Sequence, residues 1–451
     1  METLEENNIN EVSPIIIENF DDLSDEVKQA FLTNVTKAYI QKMSDGTKID
    51  QSNYLKDLSL EELRFIPDQG FIGGTVARRL TLNLNNENNQ FNLEDEDLKL
   101  FIGVEYNSQD YYIDFGNFIV QKPETENTTD NTSIESLDYM CKFNQKYVDQ
   151  VTYPCTLAQL AVNVCSQAGV PLGNTNFRNA DFIVVNNQFV GGESLRTVLG
   201  AIAAIAFSWA RIDIDNKVYI DFEKKTTTEE ELDNEKYFNL TMASKKFGPL
   251  NRIILRNSQV EGENAVVENA ASIQQYGLHE LVISDNPFAY TQEKRTQLIQ
   301  AASELLGLEY MPVTSMNSVG YVFLRSNSYI KIKDMQGNYF NTYVFNHTIS
   351  YNGALLDEIA SPALTETETK YTYTPSELER LNRTEINVDK ANQKITEVVE
   401  KQDEFQQQLV QVETTLDGIE QQVSNITEYK DNISGITEIH LENAAPTQIV
   451  E

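Results

Sequence analysis

The chain is poor in the residues that usually mark chemistry. Among 451 residues there are three cysteines (Cys141, Cys155, Cys165), three histidines (His279, His347, His440) and one tryptophan. No two cysteines form a Cys-x-x-Cys pair, and a disulfide framework is not expected in a chain this long. The thiols read as buried or half-buried small hydrophobes. The histidines lie far apart, and none stands in the His-Glu-x-x-His spacing of a zinc peptidase. A P-loop, a Gly-x-Ser-x-Gly elbow and a Rossmann glycine triplet are missing too. No catalytic residue, metal ligand or cofactor site is therefore expected, and the chain reads as a non-enzyme.

Positive charge is scarce. Against 69 Asp and Glu stand 35 Lys and Arg, a formal charge of −34. That excludes a surface built to grip phosphates, which needs clustered Lys and Arg, and equally one built for an anionic membrane. Long apolar runs are absent as well. The longest, around VLGAIAAIAF from Val198, is about ten residues, too short to span a bilayer. The start, METLEENNIN, is acidic and lacks the apolar segment of a signal peptide. A cytoplasmic product with no membrane anchor is expected.

What is present is material for large cores: 40% hydrophobic residues, with 21 Phe and 21 Tyr. Length suggests about three domains. Residues 1–33 read as a polar arm and a short helix, capped by Ser24, with Val27, Ala30 and Phe31 on one face. Residues 34–130 read as a first barrel-like β domain. TVARRLTLNLNN alternates there, with Leu80, Leu82 and Leu84 on one face. FIGGTV, from Phe71, reads as a turn or bulge. The acidic run Glu94–Asp97 reads as a solvated loop, because acid–base work needs buried, perturbed carboxyls.

Residues 131–235 read as an α/β section. One helix carries Leu157, Leu160, Ala161 and Val164 at one-face spacing, with a Thr156–Gln159 capping box and a Gly169 stop. A second starts near Ser194, with Leu195, Val198, Leu199, Ile202 and Ala206 facing inward. WARIDIDNKVYIDF then reads as a β-hairpin turning at Asp215, Asn216 and Lys217, with Trp209 in the core. Residues 236–373 read as a second barrel-like β domain interrupted by one helix (Leu298, Ile299, Ala302, Leu305, Leu306).

Residues 374–428 carry a heptad repeat. Val388, Ile395, Gln402, Leu409, Leu416 and Val423 fall at a; Ala391, Val398, Phe405, Val412, Ile419 and Ile426 fall at d. Eleven of these twelve are apolar, over more than five heptads, which predicts a coiled coil. The rod from Leu381 to Ile426 would be roughly 70 Å long. The alternative is an amphipathic helix lying on its own globule, but such faces are wider and such helices shorter. Mixed β-branched and Leu residues at a and d, with Val399 at e, favour three parallel strands. Residues 429–451 read as the start of a β-rich distal segment.

The order of these motifs resembles a known family. IGGTVARRLTLNL, through IGVEYNSQDYYIDFGNFIVQKPETENTTDNTSIESLDYMCKFNQKY, resembles the first half of the baseplate hub, or tail-tip, proteins of tailed bacteriophages. TYPCTLAQLAVNVCSQAGVPL and NNQFVGGESLRTVLGAIAAIAFSWARIDIDNKVYI resemble that family's middle. FGPLNRIILRNS, YGLHELVISDNPFA, LLGLEYMPV and DMQGNYFNTYVFNHTISYNGALLDEIAS resemble its second β domain. The resemblance covers roughly Asn34 to Thr372. It implies an α+β fold with two barrel-like domains flanking an α/β hub domain. It also implies a homotrimeric ring at the end of the tail tube, adapting sixfold tube to threefold tip around a DNA exit channel. The implied partners are sister copies, a tail-tube or distal tail protein, and a distal tip or fibre protein. DNA would pass without specific binding, and the place of action would be the virion tail tip, assembled in the bacterial host cytoplasm. Many relatives carry peptidase or glycan-binding extensions; no enzymatic extension is expected from the residues after the heptads. A tail-associated cell-wall-degrading enzyme and a receptor-binding stalk are the competing readings.

Overall fold

The computed structural model describes residues 13–372, apart from 66–70, 88–90, 92, 94–95, 127–130, 190–191, 258–263 and 363–369. The predicted seam, Val388 to Ile426, lies outside the described residues, as does His440.

The chain opens with β1 (Ile15–Ile17) and helix α1 (Asp25–Thr33). Ser24 caps α1 by accepting from the Val27 amide, and Val27, Ala30 and Phe31 are buried as their spacing predicts. Seven strands follow: β2 (Thr36–Lys42), β3 (Lys48–Asp50), β4 (Leu55–Leu63), β5 (Arg79–Asn85), β6 (Asp97–Tyr106), β7 (Gln109–Glu126) and β8 (Asn131–Asp138). Leu80, Leu82 and Leu84 are fully buried on one face of β5, so the period-two pattern was a true strand signal.

The middle section holds β9 (Cys155–Thr156), α2 (Leu157–Ala168), β10 (Ile183–Val184), α3 (Leu195–Ile205) and the hairpin of β11 (Trp209–Ile212) and β12 (Val218–Asp221). The capping box of Thr156 and Gln159 forms, and Gly169 ends α2 at φ 68°. α3 is capped by Ser194, and its apolar face is buried. Asn216 takes φ 61° at the hairpin turn, where Asn is well tolerated.

The last described section contains β13 (Glu230–Leu232), β14 (Tyr237–Met242), β15 (Arg252–Arg256), β16 (Ala265–Glu268), α4 (Ala270–Tyr276), β17 (Glu280–Ser284) and α5 (Gln292–Leu298). It ends with β18 (Val313–Ser318), β19 (Tyr329–Lys333), β20 (Tyr339–Tyr343), β21 (Asn346–Tyr351), β22 (Leu355–Ser361) and β23 (Lys370–Thr372). The predicted helix around Leu298 is α5, continued by a 3-10 segment over Ile299–Leu305; Leu298, Ile299, Ala302 and Leu305 are buried. Helix α4 and the parallel pairing of β1 with β7 were not read from the sequence.

The fold is α+β, mostly strand. Its two β sections do not close into barrels among the described residues. They share one open twelve-stranded sheet, in the order β14-β18-β22-β21-β4-β5-β8-β7-β6-β2-β3, with β1 beside β7. The reason lies in β4. One of its edges pairs with β5 and the other with β21, from Asn346 opposite Leu63 to Tyr351 opposite Leu58. With both edges taken, β4 cannot close the first section on itself.

Core packing does not follow chain order. One core gathers both β sections and α1. The other joins α2, α3 and the β11–β12 hairpin to a four-stranded sheet, β16-β15-β17-β23, and to α5. So Ile253, Leu255, Leu281 and Ile283 pack with the α/β section, although the chain around them runs among strands of the second β section. No helix among the described residues is long and apolar enough to cross a membrane.

Candidate functional site: a three-way joint

The two β sections and the α/β section meet around the end of β4, and the joint has an aromatic side and a charged side. On the aromatic side Phe345, just before β21, is fully buried. Its ring lies 5.3 to 6.2 Å from those of Phe65, Phe71, Trp209, Phe222, Tyr310 and Tyr343. The next residue, Asn346, accepts from the backbone amides of Arg64 and Phe65 at 3.0 Å, tying β21 to the chain leaving β4. The FIGGTV segment forms the turn expected of it. Gly73 takes φ 72°, its amide donates to the Ser208 carbonyl at 2.7 Å, and Ala210 donates back to the Gly74 carbonyl at 2.8 Å.

On the charged side the central residue is Arg78, fully buried. Its amide and Nε donate to Asp138 Oδ2 at 3.0 and 3.1 Å, Nη1 donates to the Phe115 carbonyl at 3.0 Å, and Nη2 to the Asp213 carbonyl at 3.4 Å. One guanidinium thus touches β8, β7 and the hairpin turn. Arg64 Nε donates to Ser326 Oγ at 3.2 Å, and Ser326 in turn donates to Glu62 at 2.9 Å. Glu62 lies within 3.8 Å of both Arg64 and Arg78. Burial raises its pKa, but the two guanidiniums outweigh that and hold it below the usual carboxylate range. Arg211 grips Asp221 with two bonds, at 3.0 and 2.8 Å, and meets Asp213 at 2.7 Å. Burial opposes ionisation of Asp213 too, yet Arg211 pulls its pKa down to about 2.

His347 belongs to the same joint. Nε2 meets Asp357 Oδ1 at 3.2 Å and Nδ1 meets the Leu324 carbonyl at 3.3 Å, while Asp357 also accepts from the Tyr321 amide at 2.8 Å. Ser326, His347 and Asp357 together look like the parts of a hydrolytic triad. They are not arranged as one: both ring nitrogens are engaged, and Ser326 is held by Glu62 and Arg64. A nucleophile must be bonded to a base that can take its proton.

A cleft of about 500 Å³ opens beside the joint, lined among others by Asp21, Lys28, Arg211, Asp221, Lys225 and Arg325. Its cations already have carboxylate partners. Arg325 meets Asp21 at 2.8 Å, Lys225 meets Glu223 at 3.3 Å and Glu229 at 3.4 Å, and Lys28 lies 3.9 Å from Asp25.

The remaining residues singled out by sequence fall elsewhere. Among the described residues no cluster of three His, Cys, Asp or Glu could hold a metal ion. The cysteines are free thiols. Burial pushes Cys165 up to about 12 and raises Cys141 and Cys155, which disfavours the thiolate. His279 is half-buried in the loop between α4 and β17. Of the acidic run, Glu94 and Asp95 lie outside the described residues. Glu96 is no solvated loop residue: it accepts from the Ser44 amide and hydroxyl at 3.0 and 2.6 Å and lies 3.7 Å from Lys42. Asp97 accepts from the Tyr139 hydroxyl at 3.0 Å.

The joint was missed at the level of sequence, yet a signal existed. Arg78 is in phase with Leu80, Leu82 and Leu84. Glu62 is in phase with Leu58 and Leu60, Asp138 with Ile134, His347 with Ile349, and Asp357 with Ile359. Each is a charged or titratable residue at an inward position of its strand or, for Arg78, one residue ahead of it, and such positions demand partners.

No protein-family model matches the chain, and no curated protein matches it. Solved structures of tail proteins are similar to it. A tail protein from Neisseria meningitidis aligns with TM-score 0.49 and 9% identity over 75% of this chain and 99% of that one. The 43 kDa tail protein of prophage MuSo2 from Shewanella oneidensis aligns with TM-score 0.48 and 12% identity over 72% and 96%. A prophage tail protein from Listeria monocytogenes aligns with TM-score 0.45 and 9% identity over 74% and 95%.

Proposed function

We propose that the chain is a structural subunit of a phage tail tip: a hub of three copies beneath the tail tube, around a bore for DNA, with residues 374–428 coiled along the threefold axis. The observation that carries this reading is the shared sheet. Pairing of β4 with β21 sets two β sections of one chain side by side, and two per chain in three chains present six to a sixfold tube. The resemblance of Asn34–Thr372 to tail hubs and the apolar heptads fit the same arrangement, and the charge of −34 suits a bore that does not trap DNA. The joint has a plain task here, which is to make three sections behave as one rigid block.

Light scattering of the full chain at micromolar concentration tests the reading. The expected mass is three times 51.3 kDa; a single-copy species would end it. Binding to tail-tube protein, without cleavage of purified peptidoglycan, is the matching biochemical outcome. Gln402→Ile, at the one polar a position, is expected to raise the melting temperature while loosening register. An unchanged or lower melting point counts against a register-fixing role for Gln402.

A further inference from the structure

The shared sheet repeats one strand order. Four neighbouring strands of the first β section run β4-β5-β8-β7, and four of the second run β14-β18-β22-β21. In chain order both sets read first, second, fourth, third, and every pairing within them is antiparallel. The rows across the sets match as well. Leu60, Leu80, Ser136 and Val120 pair in turn across one set, and Leu240, Met316, Ile359 and His347 across the other. The fourth strands, β8 and β22, both end two residues beyond this row, at Asp138 and Ser361. By this correspondence β14 is the counterpart of β4, and β7 the counterpart of β21.

Within the chain a third strand meets a first. The edge of β21 away from β22 takes β4, with Thr348 opposite Glu61. The same two kinds of edge are left over at the ends of the eight strands. Among the described residues β14 pairs with β18 alone. β7 pairs with β8 as far as Glu126, but its register with β6 stops at Ile119, so no described strand lies along the other edge of residues 121–126. β14 is also undefended. Sheets blunt a free edge with charge, proline or short length. β3, at the far end of the sheet, is three residues long and carries Lys48 and Asp50. β14, YFNLTM, is six residues long with neither charge nor proline, and Phe238 is 63% exposed. On the β7 side Pro123 lacks an amide donor but keeps its carbonyl as an acceptor.

We infer that β14 of one copy pairs antiparallel with the free half of β7 of the next copy, repeating between chains the joint that β4 and β21 make within one. The occupant follows from the repeat. In this sheet a first strand takes the outer edge of a third strand. The chain's other third strand, β7, stands at the opposite end of its own eight strands, so a second copy supplies it. The contact is head-to-tail and continues around a ring instead of ending at a pair. Its register follows from Thr348 and Glu61. Lys122 pairs with Glu135 as Thr348 pairs with Glu358, which sets Lys122 opposite Thr241. The inference rests on the trimer reading, which decides where that ring closes.

The test places the photo-crosslinking residue p-benzoylphenylalanine at Thr241 in the full chain, co-assembled from isotopically light and heavy copies. Irradiation is expected to give products of mixed label, with the linked peptide on β7 near Lys122. A three-copy assembly linked elsewhere, on β14 of a sister chain or on β7 of the same chain, overturns the inference and leaves the trimer standing. So does one that yields only unlinked chain. A single-copy mass overturns both. A second arm combines Lys122→Cys with Thr241→Cys. Under mild oxidation the double variant is expected to run at two and three chain masses without reductant and at one with it, while each single variant stays unlinked. A double variant that stays unlinked overturns the register. A link between two Thr241→Cys side chains, β14 to β14, overturns the inference.

Discussion

The joint and helix α4 invert the usual arrangement of a soluble protein. Inside the joint, Arg78 and Asp138 are sealed from water with Arg64 and His347 close by. On α4 a stretch with no charge at all is left without a fully buried residue, and Tyr276 is half exposed. The difference is one of selectivity. Buried ion pairs add little net stability but penalise every wrong pairing, because a misplaced strand leaves a bare charge in a dry place. They therefore suit a joint that must select one register between strands distant in sequence. A neutral, half-exposed helix gives little selectivity within the chain.

That contrast can be broken at either end. The largest effect is expected at the joint. Arg78→Met leaves Asp138 buried without its cation and should cost about 3–5 kcal/mol in unfolding free energy. Phe345→Ala, which empties the space between six rings, should cost a similar 3–5 kcal/mol. Chemical denaturation measures both, and a loss below about 1 kcal/mol for either would mean the joint is not the centre of the block. Next is acid. With its pKa down at about 2, Asp213 stabilises the fold fully above its ordinary range and loses that contribution as pH falls from about 4 to about 2. The amount at stake is about 2 kcal/mol, and Glu62, also shifted downward, adds in the same direction. Stability measured by denaturation across that window should therefore fall, and Arg211→Gln should flatten the fall. An equally steep profile in the variant would remove Arg211 as its cause. The smallest effect is expected on α4. Tyr276→Glu should shift the intrinsic stability of the folded chain by no more than about 0.5 kcal/mol, as for a surface site. A large loss would show that the helix is covered by its own chain after all.

Local structure was legible in the residues, and long-range pairing was not. Helix α2 announces itself through Thr156, Gln159 and Gly169, and the β11–β12 hairpin through alternation on both sides of Asn216. These signals span a few residues and act within them. The pairing of β4 with β21 has no local signature, because either strand would accept many partners of the same alternation. The expectation of two barrel-like domains failed among the described residues for that reason: periodicity tells which face of a strand is inward, not which strand sits beside it. Helix α4 escaped notice because it lacks an apolar stripe of the usual width. The charged joint was legible in principle, from inward-phase Arg78, Glu62 and Asp138. Arg78 stands one step before Leu80, Glu62 one step past Leu60 and Asp138 two steps past Ile134 in the inward phase. The heptad seam lies outside the described residues and stands as a proposal.

A strand with neighbours on both edges belongs to neither side alone. A gene fragment ending after β8 would leave one edge of β4 bare, and a fragment starting at β14 would do the same to β21. Each exposes a row of unanswered amides and carbonyls, the usual template for runaway stacking of one molecule on the next. Such fragments should collect in inclusion bodies when produced separately and stay soluble when produced together, so the halves of this protein are not interchangeable parts.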